Sequence, residues 1–259
     1  MPASIMKISG MLADVNISQR QIADAIRFDP VLAARILRLA NSPVYAFQRS
    51  VSNLHMAVSA VGNQAIQDIL LLGLTRDAFA PALRNSEIGR GLWIHSLATG
   101  FAAREICAEL SMRDVEDAFS CGLLLDIGKM LLWRAEPEVY SPILTGTPHD
   151  KLHLAERAAF GFDHAEIGSL ATRSWNLPAS LCSAVAYHHD PEMAVVVPTL
   201  TNLINVADHL AYHRLAGIEI EMDYLMSYSV VELAIRADQL NSVWERVVVS
   251  LNEVVKAFE

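Results

Sequence analysis

The sequence is poor in cysteine, and the three cysteines that it has do not form a recognisable set. Cys107, Cys121 and Cys182 are odd in number, widely spaced and surrounded by apolar residues. A small disulfide-stabilised fold has a dense, even set of cysteines, and a zinc knuckle has closely spaced pairs. Neither kind of protein is indicated, and we expect buried thiols.

Positive charge is also scarce. The 259 residues include 20 Lys and Arg against 29 Asp and Glu, which gives a net charge of −9. A protein that binds along a nucleic-acid backbone needs a basic surface that releases counterions. We therefore expect no DNA partner, although this charge leaves room for a small anionic ligand.

Long apolar runs are absent from the sequence. No run approaches the roughly 18 apolar residues of a membrane-spanning helix. The first residues, MPASIMKISGMLADV, hold one early lysine and no sustained apolar core, so they do not resemble a signal peptide. These features predict a cytoplasmic protein that does not cross a membrane.

No segment alternates like a β-strand, whereas helix signals follow one another along the chain. In DPVLAARILRLANSPVY, Asp29 is placed to cap a helix that begins at Pro30, and Leu32, Ile36 and Leu39 recur at helical spacing. With 53% hydrophobic residues the chain can fill a large core. The sequence predicts an all-α protein.

The connections are short throughout, and the segment 81–91 is the only plausible seam. We expect two lobes of a single domain: an N-terminal helical lobe over residues 1–84 and a second lobe over 88–259. The second lobe ends in an amphipathic helix. Its apolar stripe is predicted to pack on its own domain or to dock a partner.

Two helices broken near Gly62 and Asn63 raise the alternative of a helix-turn-helix motif. A DNA-reading helix needs exposed Arg or Lys. The second segment, GNQAIQDILLLGL, contains neither, so we interpret the pair as part of the core of the first lobe.

One carboxylate, Asp126, lies inside the apolar run CGLLLDIGKM, where a buried acid needs a metal, a histidine or hydrogen-bond donors. Six side chains of metal-binding type occur from residue 95 onward, mostly in apolar helical surroundings: His95, Asp126, His164, His188, His189 and Asp208. Each alone is compatible with a core or capping role. Together they suit Fe, Mn, Ni or Zn held between helices of a bundle.

The segments DPVLAARILRLANSPVYAF, LWIHS, AFSCGLLLDIGK, FGFDHAEIGSLATRSWNLP and AVAYHHDP resemble an HDOD domain over nearly the whole chain. This bacterial signalling module is related to the HD-domain phosphohydrolases. The resemblance implies an HD-domain-like helical bundle with an additional N-terminal helical lobe. It also implies a regulatory protein that acts by binding signalling proteins or a ligand such as a nucleotide or cyclic dinucleotide.

The resemblance assigns roles to the candidate residues. His95, Asp126 and Asp208 match three of the four metal-ligand positions of the HD pattern, and a further set matches extra ligands of the branch that cleaves cyclic di-GMP: His164, His188 and His189. The fourth position is Leu125, where active enzymes have histidine. RSWNLP stands where that branch carries Gly-Tyr-Pro.

Three functions remain open from the sequence. The first is a non-catalytic signalling module. The second is a metal-dependent phosphohydrolase with a degenerate site, in which Lys129 contacts a substrate phosphate. The third is a sensor that binds a nucleotide or metal without turnover. If no metal is bound, His95 is the expected partner of Asp126, whereas Lys129 has the alternative role of a helix-end cation.

Overall fold

The computed structural model describes residues 3–12, 14, 16–41, 51, 53–112, 118–175 and 177–258. Over these residues all regular secondary structure is helical, as the sequence predicts. The α-helices are α1 (Ala3–Leu12), α2 (Gln19–Ile26), α3 (Pro30–Ala40), α4 (Leu54–Asn85), α5 (Glu87–Glu109), α6 (Ala118–Leu124), α7 (Ile127–Ala135), α8 (Pro137–Gly146), α9 (Leu152–Phe160), α10 (His164–Ser174), α11 (Ala179–Tyr187), α12 (Pro198–Leu215), α13 (Met222–Leu225), α14 (Tyr228–Leu233) and α15 (Ala237–Phe258). Single 3₁₀ turns occur at His149–Lys151 and Pro191–Met193.

The chain forms two compact units, one reaching to Ala80 and including the chain from Val248, the other being Pro81–Val247. The division into lobes 1–84 and 88–259 stays a prediction. It differs from these units at the last helix, because the turns of α15 from Val248 onward group with the first unit.

The first unit begins its helices with the capping residues that the sequence supplies. Ser18 and Gln21 form a capping box at the start of α2. Asp29 Oδ1 accepts the Leu32 backbone N–H at 3.0 Å, which confirms it as the cap of α3. Gly62 interrupts α4 with φ of +78°, so the predicted break is confirmed. Glycine adopts this left-handed backbone without the steric penalty that other residues meet.

The second unit depends on close contacts between helices. Gly100 of α5 and Gly122 of α6 approach so closely that a Cβ on Gly122 would lie 2.8 Å from the Gly100 Cα. A Cβ on Gly128 of α7 would lie 1.9 Å from the carbonyl oxygen of His164 in α10. Only glycine permits these approaches, which bring α5, α7 and α10 around one buried polar cluster.

The terminal helix is amphipathic, as predicted, and its stripe is largely buried. Leu240, Val247, Leu251 and Val254 are all buried. The side chain of Phe258, which the sequence assigns to the same stripe, lies outside the described residues. Among the described residues, no helix combines the length and the apolar character needed to span a bilayer.

Candidate metal and ligand site

Six residues from five helices and the turns beside them meet inside the second unit. His95 lies midway along α5, Asp126 in the turn before α7, His164 at the start of α10, His188 and His189 directly after α11, and Asp208 in α12. These are the six side chains that the sequence selects. Their convergence is a structural fact, whereas their role as metal ligands stays a prediction.

Asp126 is 1% exposed, and its carboxylate points into the cluster and does not cap α7. Its Oδ2 accepts a hydrogen bond from Lys129 Nζ at 2.7 Å and lies 3.3 Å from His95 Nε2. Burial would raise the pKa of Asp126, but the Lys129 ammonium and His95 hold it well below its usual range. The carboxylate is therefore ionised and paired.

The expected contact between Asp126 and His95 is present at 3.3 Å. The shorter contact of Asp126, at 2.7 Å, is with Lys129, which is buried in the first turn of α7. Lys129 is not a helix-end cation, because its ammonium lies inside the protein. The ligand-binding role of Lys129 stays a prediction.

His95 is hydrogen-bonded between two carboxylates. Its Nε2 lies 2.8 Å from Asp208 Oδ1 as well as 3.3 Å from Asp126 Oδ2. Burial alone would lower the pKa of His95, but the hydrogen bonds to Asp126 and Asp208 raise it to about 9. In the metal-free protein the ring is therefore an imidazolium at pH 7, and its proton links the two acids.

Three other histidines present nitrogen atoms to one another. His164 Nε2 lies 2.8 Å from His189 Nε2, 3.3 Å from His188 Nε2 and 3.5 Å from Asp126 Oδ1. The other ring nitrogen of His188 donates to the Val185 carbonyl at 2.8 Å. Burial lowers the pKa of His188 to about 4 and that of His189 well below its usual value, so both rings are neutral at pH 7.

The orientation of His164 is fixed by a residue that sequence reasoning missed. Glu156 in α9 is fully buried, and its Oε2 accepts from His164 Nδ1 at 2.6 Å and from the His164 backbone N–H at 2.8 Å. The Tyr140 hydroxyl of α8 donates to Oε1 of the same carboxylate. Glu156 thereby directs His164 Nε2 at Asp126 and the neighbouring histidines, as the carboxylate partner of a metal-binding histidine does.

The donor set fits a divalent cation. The Nε2 atoms of His188 and His164 face each other, while Asp126 Oδ1 is buried without a hydrogen-bond partner among the described residues. Imidazole nitrogens with a carboxylate suit Zn, Fe, Ni or Mn. A second group of potential ligands consists of His95, Asp208 and a histidine that the sequence did not select, His149.

A cavity of about 420 Å³ opens beside this second group. Lys129, His95 and Asp126 form its polar floor, and its walls include His149 and Tyr212. The remaining lining is largely apolar, including Leu92, Leu144, Leu152 and Leu215. Few polar groups in an apolar pocket are typical of a small-molecule site.

Local sequence patterns give little indication of His149 or Glu156. His149 follows a proline in a short turn, and Glu156 stands among ordinary helix-forming residues. One signal was available in the sequence. The chain has nine histidines, and only His55 lies before residue 90. That density marks the second unit as histidine-rich without showing which rings meet.

The family model of the HDOD domain matches residues 1–191. This chain belongs to the HDOD domain family. An uncharacterized protein of Treponema pallidum (strain Nichols) is 24% identical over 195 residues, which are 73% of this chain and 37% of that protein. The chain thus spans little more than a third of the curated relative that it matches.

Two solved structures support the same fold. An HDOD domain protein with unknown function from Geobacter sulfurreducens has a TM-score of 0.73 at 23% identity, covering 97% of this chain and 90% of that one. A candidate phosphohydrolase from Shewanella amazonensis SB2B has a TM-score of 0.68 at 23% identity, covering 95% and 94%. At this identity the likeness concerns the fold.

Proposed function

We propose that this protein is a cytoplasmic signalling module of bacteria that acts by binding a protein or small ligand, without hydrolysing phosphoesters. The observation that carries the proposal is Leu125, a buried apolar residue directly before the buried acid Asp126. Asp126 itself has a partner within the protein, because its Oδ2 accepts a hydrogen bond from Lys129 Nζ at 2.7 Å.

The side chain of Leu125 is the argument against turnover. Leu125 is 1% exposed, and its side chain cannot ligate a metal. Hydrolysis in a two-metal site needs correctly placed ions that activate a water and stabilise the leaving oxygen. A site with one ligand missing is poorly suited to hold both ions.

Binding is the function that the remaining features support. The cavity places His95 and the Lys129–Asp126 pair beside largely apolar walls, and we expect it to take a small ligand such as a nucleotide or cyclic dinucleotide, whose phosphate would contact His95 and Lys129. Occupancy of this cavity would alter the packing of α5, α8 and α12, whose residues line it. Signalling proteins that contact those helices are the partners that we propose.

One observation favours a second candidate function, a metal-dependent phosphohydrolase. His164, His188 and His189 converge with Asp126 Oδ1, which has no hydrogen-bond partner among the described residues, and the Shewanella relative is named a candidate phosphohydrolase. In this alternative these side chains would hold a divalent ion that would activate a water, while His95 and Lys129 would orient the substrate phosphate.

Hydrolysis assays separate the two candidates. We expect the purified protein, supplied with Mn²⁺ or Fe²⁺ under reducing conditions, to leave cyclic di-GMP and bis(p-nitrophenyl) phosphate intact. Asp126→Ala is the matched control for contaminating activity. Wild-type turnover that disappears in Asp126→Ala would overturn the binding proposal and establish the phosphohydrolase.

A further inference from the structure

His149 is a buried histidine whose Nε2 has no hydrogen-bond partner in the part of the chain that the structure describes. The side chain is 9% exposed, and Nε2 lies 3.4 Å from Asp208 Oδ2 without the alignment of a hydrogen bond. An unsatisfied nitrogen in such a position costs free energy unless it meets a ligand.

The ring of His149 is held in place from two sides. It stacks on Tyr212 of α12 with centroids 4.3 Å apart, and it meets His95 edge-on at 5.8 Å. The 3₁₀ turn His149–Lys151 fixes the backbone next to α9. Nε2 is therefore directed at the Asp208 carboxylate by packing.

Three donor atoms lie within 4.8 Å of one another: His95 Nε2, His149 Nε2 and a carboxylate oxygen of Asp208. Bonds of roughly 2.0–2.1 Å in a tetrahedral site place neighbouring ligand atoms about 3.3 Å apart. The separation of His149 Nε2 from Asp208 Oδ2, 3.4 Å, already has this size. For His95 to bind an ion there, its Nε2 must lose its proton and its contacts with Asp208 and Asp126.

We propose that His149 is the third protein ligand of a mononuclear Zn²⁺-type site with His95 and Asp208, replacing the histidine that is missing at position 125. Two imidazoles and one carboxylate are a ligand set of zinc and other first-row divalent ions. Because His95 and His149 both line the 420 Å³ cavity, an ion that they hold would be accessible to a water or an anionic ligand in that cavity.

Asp126 is not counted among the three ligands, because its Oδ2 accepts a hydrogen bond from Lys129 Nζ at 2.7 Å. This inference rests on the proposed function, in which the cavity binds a small ligand. It adds that a metal ion would coordinate that ligand.

The test is metal binding by the full chain after dialysis against EDTA. Titration with Co²⁺, followed by its visible d–d absorption, and with Zn²⁺, followed by calorimetry, measures stoichiometry and affinity. His149→Phe keeps an aromatic ring against Tyr212 and removes the ligand nitrogen. His153→Phe is the matched control, because His153 stacks on His189 at 4.5 Å and belongs to the other histidine cluster.

We expect His149→Phe to lose one metal equivalent or to bind it more than about 100-fold more weakly, since even an outer-shell partner is worth 10–100-fold. His153→Phe should titrate like wild type. A His149→Phe titration identical to wild type, or no metal binding by wild type, would overturn the site.

A measurement on wild type alone covers the case in which His149→Phe fails to fold. Long-range ¹H–¹⁵N NMR spectra with one equivalent of Zn²⁺ should shift the Nε2 signals of His95 and His149 and leave His188 unchanged. Shifts confined to His164, His188 and His189 would overturn the inference. These experiments measure metal binding and not turnover. Failure of the metal site can therefore be told apart from failure of the proposed function, which the hydrolysis assay tests.

Discussion

The ammonium of Lys129 and the carboxylate of Asp126 are both almost completely removed from solvent, and each is the other's nearest charged partner. Removing one member of a buried pair leaves an uncompensated charge, whereas removing both often costs little. We expect Lys129→Met to lower the free energy of unfolding by about 3–5 kcal/mol, and Asp126→Ala to have an effect of similar size.

The double variant Lys129→Met/Asp126→Asn is the control for this pair. It should recover most of the lost stability, because neither buried charge remains. Urea unfolding followed by circular dichroism measures all three variants. If Lys129→Met is as stable as wild type, the pair seen in the structure contributes nothing.

The residues of the site were predictable to different degrees. Asp126 stands out because an acid is conspicuous in an apolar run, and the i, i+3 spacing of Lys129 offered a signal for their pairing. His149 was not predictable, because its partners lie in α5 and α12, far away in sequence. Periodicity and capping describe neighbours along the chain and carry no information on such contacts.

At the scale of the elements, α7 and α10 approach each other through Gly128. A Cβ there would lie 1.9 Å from the His164 carbonyl oxygen, which is backbone and cannot rotate away. We expect Gly128→Ala to separate the helices and to lower stability by about 3 kcal/mol, the upper part of the range for overpacking. Urea denaturation measures the loss.

Gly91→Ala is the matched control, because Gly91 is also helical but a Cβ on it would meet nothing within 4 Å. Alanine in a helix interior is favoured over glycine by about 0.5–1 kcal/mol, so this variant should be as stable as wild type or slightly more so. Equal stability of both variants would show that the contact between α7 and α10 is looser than the structure has it.

The helices themselves were the most predictable elements. Asp29 and Pro30 mark the start of α3, and Gly62 marks the break in α4, because each acts through its own backbone geometry. The grouping of the final turns of α15 with the first unit was not predictable. It depends on which surface the stripe contacts, and an amphipathic pattern does not specify that surface.

For the molecule as a whole, the buried histidines predict a maximum in stability near pH 6.5. His188 and His209 have pKa values of about 4, because burial disfavours their charged forms. In the unfolded chain they take up protons near pH 6.5, so stability should fall as the pH drops from 6.5 towards 4.

The alkaline side of this profile depends on His95. Burial opposes its charge, but Asp126 and Asp208 raise its pKa to about 9, so the stability that it contributes is complete below pH 6.5 and is lost as the pH rises through 9. The change is at most about 3 kcal/mol, at about 1.4 kcal/mol per pKa unit. In metal-free protein, His95→Gln should reduce the decrease in stability between pH 6.5 and 9. A wild-type stability that is constant over this range would contradict the predicted role of His95.

The three thiols provide a probe of the whole second unit. Cys107, Cys121 and Cys182 are all buried, and burial raises the pKa of Cys107 to about 11. Because the thiolate is the reactive form, we expect Ellman's reagent at pH 8 to react slowly with native protein and rapidly with all three thiols in urea. Fast reaction of one native thiol would indicate local opening around it.

Glu156 also constrains how the sequence can change over time. Its carboxylate accepts from the Tyr140 hydroxyl, the His164 ring and the His164 backbone, so one buried acid connects α8, α9 and α10. A change at Tyr140, Glu156 or His164 alone leaves a buried polar group without its partner. In the descendants of this lineage the three positions should therefore be substituted together, and their covariation would reveal the network without any structure.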